Sequence, residues 1–123
     1  MPSRLPAPSE HASQAAVFDW AEHSVKRYPA VRFLYAIPNG GHRNIVTAAR
    51  MKKEGVKAGL PDIHLPVPNG SFYGLWIEMK RRGNRPTKEQ AAWMEGLSSM
   101  GHKCAVCYSS EDAIDVIRGY LKP

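Results

Sequence analysis

Apolar positions along this chain recur with helical spacing in some stretches and with alternation in others, and turn residues separate them. After Ser9, a plausible N-cap, Val17, Trp20, Ala21 and Val25 line one stripe and predict a helix over 10–27, with Pro29 just beyond it. Residues 31–37 read as a strand stopped by Pro38-Asn39-Gly40-Gly41. Asn44 caps a short helix running through Glu54, and Gly55 stops it. A strand over 62–66, a turn at Pro68-Asn69-Gly70-Ser71 and a strand over 72–80 form a hairpin, followed by a basic loop over 81–86. Thr87-Lys88-Glu89-Gln90 has the form of a capping box opening a helix to Met100, with Trp93, Leu97 and Met100 as its apolar stripe. Gly101 ends that helix, 103–108 reads as a strand, and Ser109 opens a last helix carrying Ala113, Ile114, Ile117 and Leu121. The order is helix, strand, small helix, hairpin, helix, strand, helix, and it predicts an α/β fold with a mixed sheet flanked by helices.

A chain of 123 residues fits one domain, expected over 9–123 and preceded by a flexible N-terminal arm over 1–8. That proline-rich start has no apolar h-region and reads as a frayed arm, not a signal peptide. No apolar run approaches the length of a transmembrane helix, so no membrane partner is expected. Two cysteines without an export signal suggest reduced thiols in a cytoplasm. The formal charge is +6, and its distribution matters more than its size. Ten of the seventeen Lys and Arg residues lie between Arg43 and Lys88, a span that holds only three acids, Glu54, Asp62 and Glu78. Such a field favours a polyanion and steers nucleic acid toward the acids, although a merely solvated basic face has the same composition. Arg43, Arg50, Lys52, Lys53, Lys57, Arg81, Arg82, Arg85 and Lys88 are the candidate backbone contacts.

The chemistry centres on Pro61-Asp62 and Glu78-Met79-Lys80. On a strand, Glu78 and Lys80 share one face while Ile77 and Met79 turn to the other. A neighbouring strand starting at Asp62 brings a second carboxylate beside them. Mg²⁺ or Mn²⁺ suits such a set, since magnesium sites commonly use one or two carboxylates and leave the remaining positions to water and substrate. The Met79 backbone carbonyl offers a third oxygen, and Lys80 is placed to orient the attacking water or stabilise charge on a phosphate. The competing reading is an exposed Glu78–Lys80 ion pair worth about 0–1 kcal/mol. Glu10 and Gln14 project from one side of the first helix and can reach such a site, Glu10 through water; equally, Glu10 simply complements the helix dipole. Gln90 closes the capping box and also begins the stripe facing the sheet.

Taken in order, Glu10-x-x-x-Gln14, Pro38-Asn39-Gly40-Gly41 with Arg43, Gly55-x-x-x-Gly59-x-Pro61-Asp62, Glu78-x-Lys80 and Gln90 resemble the virus-type replication-repair nuclease (VRR-NUC) domain of the PD-(D/E)xK superfamily. The resemblance runs over 10–121. It implies a restriction-endonuclease-like core and an Mg²⁺- or Mn²⁺-dependent endonuclease acting on DNA. By position, Asp62 and Glu78 are the implied metal ligands and Lys80 the implied catalytic lysine, with Glu10 and Gln90 in support. It further implies a homodimer resembling Holliday-junction resolvases and acting on branched DNA, with no organic cofactor. A non-catalytic nucleic-acid-binding module, or an RNA-directed or restriction-type nuclease, uses the same residues.

Three features call for a reading of their own. His64 should share the face of Asp62, where it either touches the site or a second metal, or packs as a hydrogen-bonded histidine at the sheet edge. Cys104 and Cys107 lie three apart on a strand and diverge, so core cysteines are the better reading than a redox or zinc pair. Gly40-Gly41 belongs to neither nucleotide-binding glycine motif, because GxxxxGK[ST] and GxGxxG are both absent.

Overall fold

The computed structural model describes residues 7–38 and 44–122, so Arg43, the Gly40-Gly41 pair and most of the expected arm over 1–8 lie outside the described residues. The first helix, α1 (Glu10–His23), is capped by the Ser9 side chain, which accepts from Ala12 N. It ends four residues short of the expected Arg27. Pro29 disfavours helical backbone at Tyr28 (φ −128°, ψ 79°), so the chain leaves the helix earlier and closes through Ser24. Val25 consequently lies outside the helix and is exposed.

The strand expected over 31–37 is mostly a 3-10 helix, Pro29–Phe33, and only Tyr35–Ala36 is extended as β1. The reason is visible in what is buried. Val31 and Leu34, three apart, enter the core while Phe33 and Tyr35 stay exposed, which is a helical period and not a strand's. Next come α2 (Ile45–Lys53), capped by Asn44 as expected, then β2 (Ile63–Leu65) and β3 (Leu75–Met79). Both strands are shorter than expected, because Asn69 Oδ1 accepts from Ser71 N and Phe72 N and holds that segment in a loop. The capping box of α3 (Lys88–Ser99) is present, and Met100, expected in its apolar stripe, is exposed at its C-cap. β4 (Lys103–Cys107) and α4 (Ser110–Leu121) complete the chain.

The four strands form one mixed sheet in the order β1-β2-β3-β4. β1 and β2 pair antiparallel, as do β2 and β3, while β3 and β4 run parallel across the α3 crossover. Side chains of Ile63, Leu65, Leu75, Ile77, Met79 and Cys107 face one side and pack with Val17 and Ala21 of α1 and with Ala113, Ile117 and Tyr120 of α4. That is the hydrophobic core. The opposite face carries Asp62, His64, Trp76 and Glu78, and α3 packs against β4.

Candidate active site

Two strands and their pairing bring the acids together. Ile63 pairs with Ile77, so continuing the antiparallel register by one residue sets Asp62 opposite Glu78 on the same face. Asp62 sits one residue before β2, where its Oδ2 accepts from Met79 N at 2.8 Å and its backbone carbonyl accepts from Ile37 N at 2.7 Å. The aspartate is therefore held from both neighbouring strands. Pro61 before it is buried, which adds a fixed φ to this anchoring.

Glu78 is 1% exposed, and its Oε2 lies 3.4 Å from Lys80 Nζ. Its other oxygen, Oε1, is buried with no hydrogen-bond partner. This rules out the exposed ion pair as an account of Glu78-x-Lys80, because the lysine side chain is itself only 11% exposed. Burial first, then the charge of Asp62, push the Glu78 carboxyl up to about 7; the pull of Lys80 opposes them, and Glu10 adds a smaller push upward. Glu10 is exposed on the first turn of α1, yet close enough for its charge to act on Glu78.

An orphaned buried carboxylate oxygen beside a second carboxylate is the environment a hard cation relieves. Asp62 and Glu78 thus fit a divalent cation of the magnesium type. Among the described residues no group of three or more His, Cys, Asp or Glu side chains is placed to hold a metal ion together, so the donor set does not resemble a structural zinc site.

Gln90 is committed locally: its Oε1 accepts from Thr87 N at 2.8 Å, and Thr87 Oγ1 accepts from Gln90 N at 3.1 Å. His64 does share the Asp62 face, but it is a packed histidine. Its Nδ1 lies 2.6 Å from the Tyr35 hydroxyl and its ring stacks on Trp76 at 3.7 Å. Burial, then the charge of His102, hold its pKa down to about 4, so it is neutral at physiological pH. Cys107 is buried in the core and Cys104 half-buried on the other face, and burial pushes both thiols up, Cys107 to about 11. Neither is poised as a thiolate. Arg50, Lys52, Lys53, Lys57, Arg81, Arg82, Arg85 and Lys88 are all exposed, and Arg50 is paired with Glu54 at 3.5 Å.

A mixed sheet flanked by helices, with two acids and a lysine gathered at the end of a central strand, is the arrangement of nuclease domains with a restriction-endonuclease-like core. A model of the VRR-NUC domain matches residues 5–111, and the chain belongs to that nuclease family. A solved structure of a VRR_NUC domain protein is similar to it at 30% identity and a TM-score of 0.79, covering 95% of this chain and 91% of that one. Comparison with curated proteins gave no match. The family acts on nucleic acid, and PD-(D/E)xK nucleases in general use divalent metals. Among the described residues, no helix is long and apolar enough to cross a membrane.

Proposed function

We propose that this protein is a metal-dependent endonuclease that hydrolyses phosphodiester bonds in DNA, selecting branched or distorted structures by shape. The observation that carries this reading is Glu78: a carboxylate buried to 1% exposure, one oxygen unpartnered, opposite Asp62 and 3.4 Å from the Lys80 ammonium. Asp62 and Glu78 would hold Mg²⁺ or Mn²⁺, with the Met79 carbonyl as a further oxygen and Glu10 in support through water. A cation so bound supplies Lewis-acid polarisation of the phosphate and a lowered pKa for water. Lys80 contributes a fixed positive charge that orients water and stabilises developing charge on the phosphate oxygens. The hydrogen bond from Met79 N holds the Asp62 carboxylate in place. Gln90 supports the site by fixing the first turn of α3.

Arg43, Arg50, Lys52, Lys53, Lys57, Arg81, Arg82, Arg85 and Lys88 are proposed to contact the DNA backbone, which positions a duplex without reading bases. Opposed nicks across a junction need two active sites, so the working form is proposed to be a homodimer acting in the cytoplasm. The test uses labelled four-way, flap, duplex and single-stranded DNA plus an RNA control, each with Mg²⁺, Mn²⁺ or EDTA. Metal-dependent cutting strongest on branched DNA is expected. Asp62→Asn and Lys80→Ala should still bind and lose at least about 10²-fold in cutting rate. Cutting that persists in EDTA overturns the mechanism, equal cutting of every DNA shape overturns the selectivity, and full activity of a strict monomer in ultracentrifugation overturns the dimer.

A further inference from the structure

A groove of about 730 Å³ is lined by Met51 and Lys52 of α2, Glu89 and Trp93 of α3, and Pro38 and Lys57. Its lining comes from the segments that flank the acids. Pro38 follows Ile37, whose N–H bonds the Asp62 carbonyl at 2.7 Å. Ala58, also in the lining, lies four residues before Asp62, and Glu89 precedes Gln90. The indole N–H of Trp93 is donated to Ala58 O at 3.0 Å, which fixes the ring as a wall. Gly59 is where the chain passes that wall most closely: a Cβ there would lie 2.9 Å from Glu89 Cβ and 3.1 Å from Trp93 Cδ1.

We propose that this groove receives one unpaired nucleobase of the DNA substrate, close to the phosphate that is cut. The inference deepens the reading of Asp62, Glu78 and Lys80 as a DNA-cutting site and rests on it. A groove with a fixed indole in its lining suits base stacking, which is tolerant of sequence because every base has a π-face. Lys52 and Lys57 are exposed residues of the lining and complement the phosphates on either side of that base. The Glu89 carboxylate accepts from an exocyclic amine, a partner that adenine and cytosine provide. A base stacked within a continuous duplex must first be extruded, whereas one at a branch point or bulge is already free, so the groove converts distortion of the DNA into affinity.

The test measures binding of the full chain in EDTA, where nothing is cut, to three fluorescent duplexes. One carries a single unpaired adenine, one has an abasic residue at that place, and one is uninterrupted. The unpaired adenine is expected to bind about tenfold or more tighter than the abasic residue. Ala48→Leu and Ala92→Leu, at exposed helical positions that tolerate leucine, should fill the groove and erase that difference while leaving uninterrupted duplex unaffected. Equal affinity for adenine and abasic DNA overturns the proposal, as does equal weakening of all three duplexes by the two variants; a groove built for a protein segment would give the first result. Cutting of the same duplexes with Mg²⁺ or Mn²⁺ is followed separately. Base discrimination without cutting supports the groove and sinks the nuclease reading, whereas cutting without discrimination sinks the groove alone.

Discussion

Burial and the Asp62 carboxylate oppose ionisation of Glu78 more than Lys80 favours it. Its pKa of about 7 lies above the ordinary 4.5, so between those values the folded chain binds a proton that the unfolded chain has released. Stability from this group is therefore full below about pH 4.5, falls as pH rises, and is lost above about pH 7. His64 acts in the opposite sense: its pKa of about 4 lies below 6.5, so its contribution is full above 6.5 and falls as pH drops toward 4. The two slopes offset each other in the wild type, and the difference between variant and wild type isolates Glu78. In EDTA, Glu78→Gln is expected to stabilise the protein at pH 8 by roughly 2–3 kcal/mol and to gain nothing at pH 4. Urea unfolding at the two pH values checks this; an equal effect at both removes the buried charge as the cause. Added Mg²⁺ should stabilise the wild type and leave Glu78→Gln much less affected.

At the level of elements, α3 lets two roles of one residue be separated. Gln90 closes the capping box, so Gln90→Ala should lower stability by about 1 kcal/mol while Gln90→Glu, which preserves the box, should leave it within about 0.5 kcal/mol. If both variants keep full cutting rates after correction for folded fraction, Gln90 acts on α3 alone. Gly59 and Gly55 make a second pair. Both have positive φ (+92° and +95°), but only Gly59 is crowded, so Gly59→Ala adds overpacking against α3 to the backbone penalty. Thermal unfolding should show a loss of about 1 kcal/mol for Gly55→Ala and about 2–4 kcal/mol for Gly59→Ala.

The elements that sequence reading found are those whose information is local: the Ser9, Asn44, Thr87 and Ser109 caps, Gly55 and Gly101 as stops, and the alternation of Ile77, Glu78, Met79 and Lys80. Residues 31–37 misled because aromatic and β-branched side chains favour a strand locally, whereas burial of Val31 and Leu34 together needs a tighter turn. The depth of Glu78 was also hidden, since alternation tells which side a residue faces and not what covers it. The groove beside α2 left no periodic mark, because that helix buries none of its residues.

For the molecule as a whole, the relevant property is a formal charge of +6, with ten of the seventeen Lys and Arg residues in the span that holds Asp62 and Glu78. Each phosphate neutralised by Lys or Arg releases counterions, so the logarithm of the binding constant should fall linearly with that of salt concentration, by about 0.9 per contact on duplex DNA. The exposed basic residues are not equivalent under this rule. Arg50 already spends its charge on Glu54 within its own helix, at 3.5 Å, while Arg81 and Arg82 follow Lys80 directly and have no ion pair among the described residues. The double variant Arg81→Ala/Arg82→Ala is therefore expected to reduce the magnitude of the salt slope by about 1.8, uniformly across DNA sequences, and Arg50→Ala to change it least. Anisotropy titrations in EDTA between about 50 and 200 mM salt make the measurement without cutting. An unchanged slope in the double variant would mean that the DNA approaches from another side.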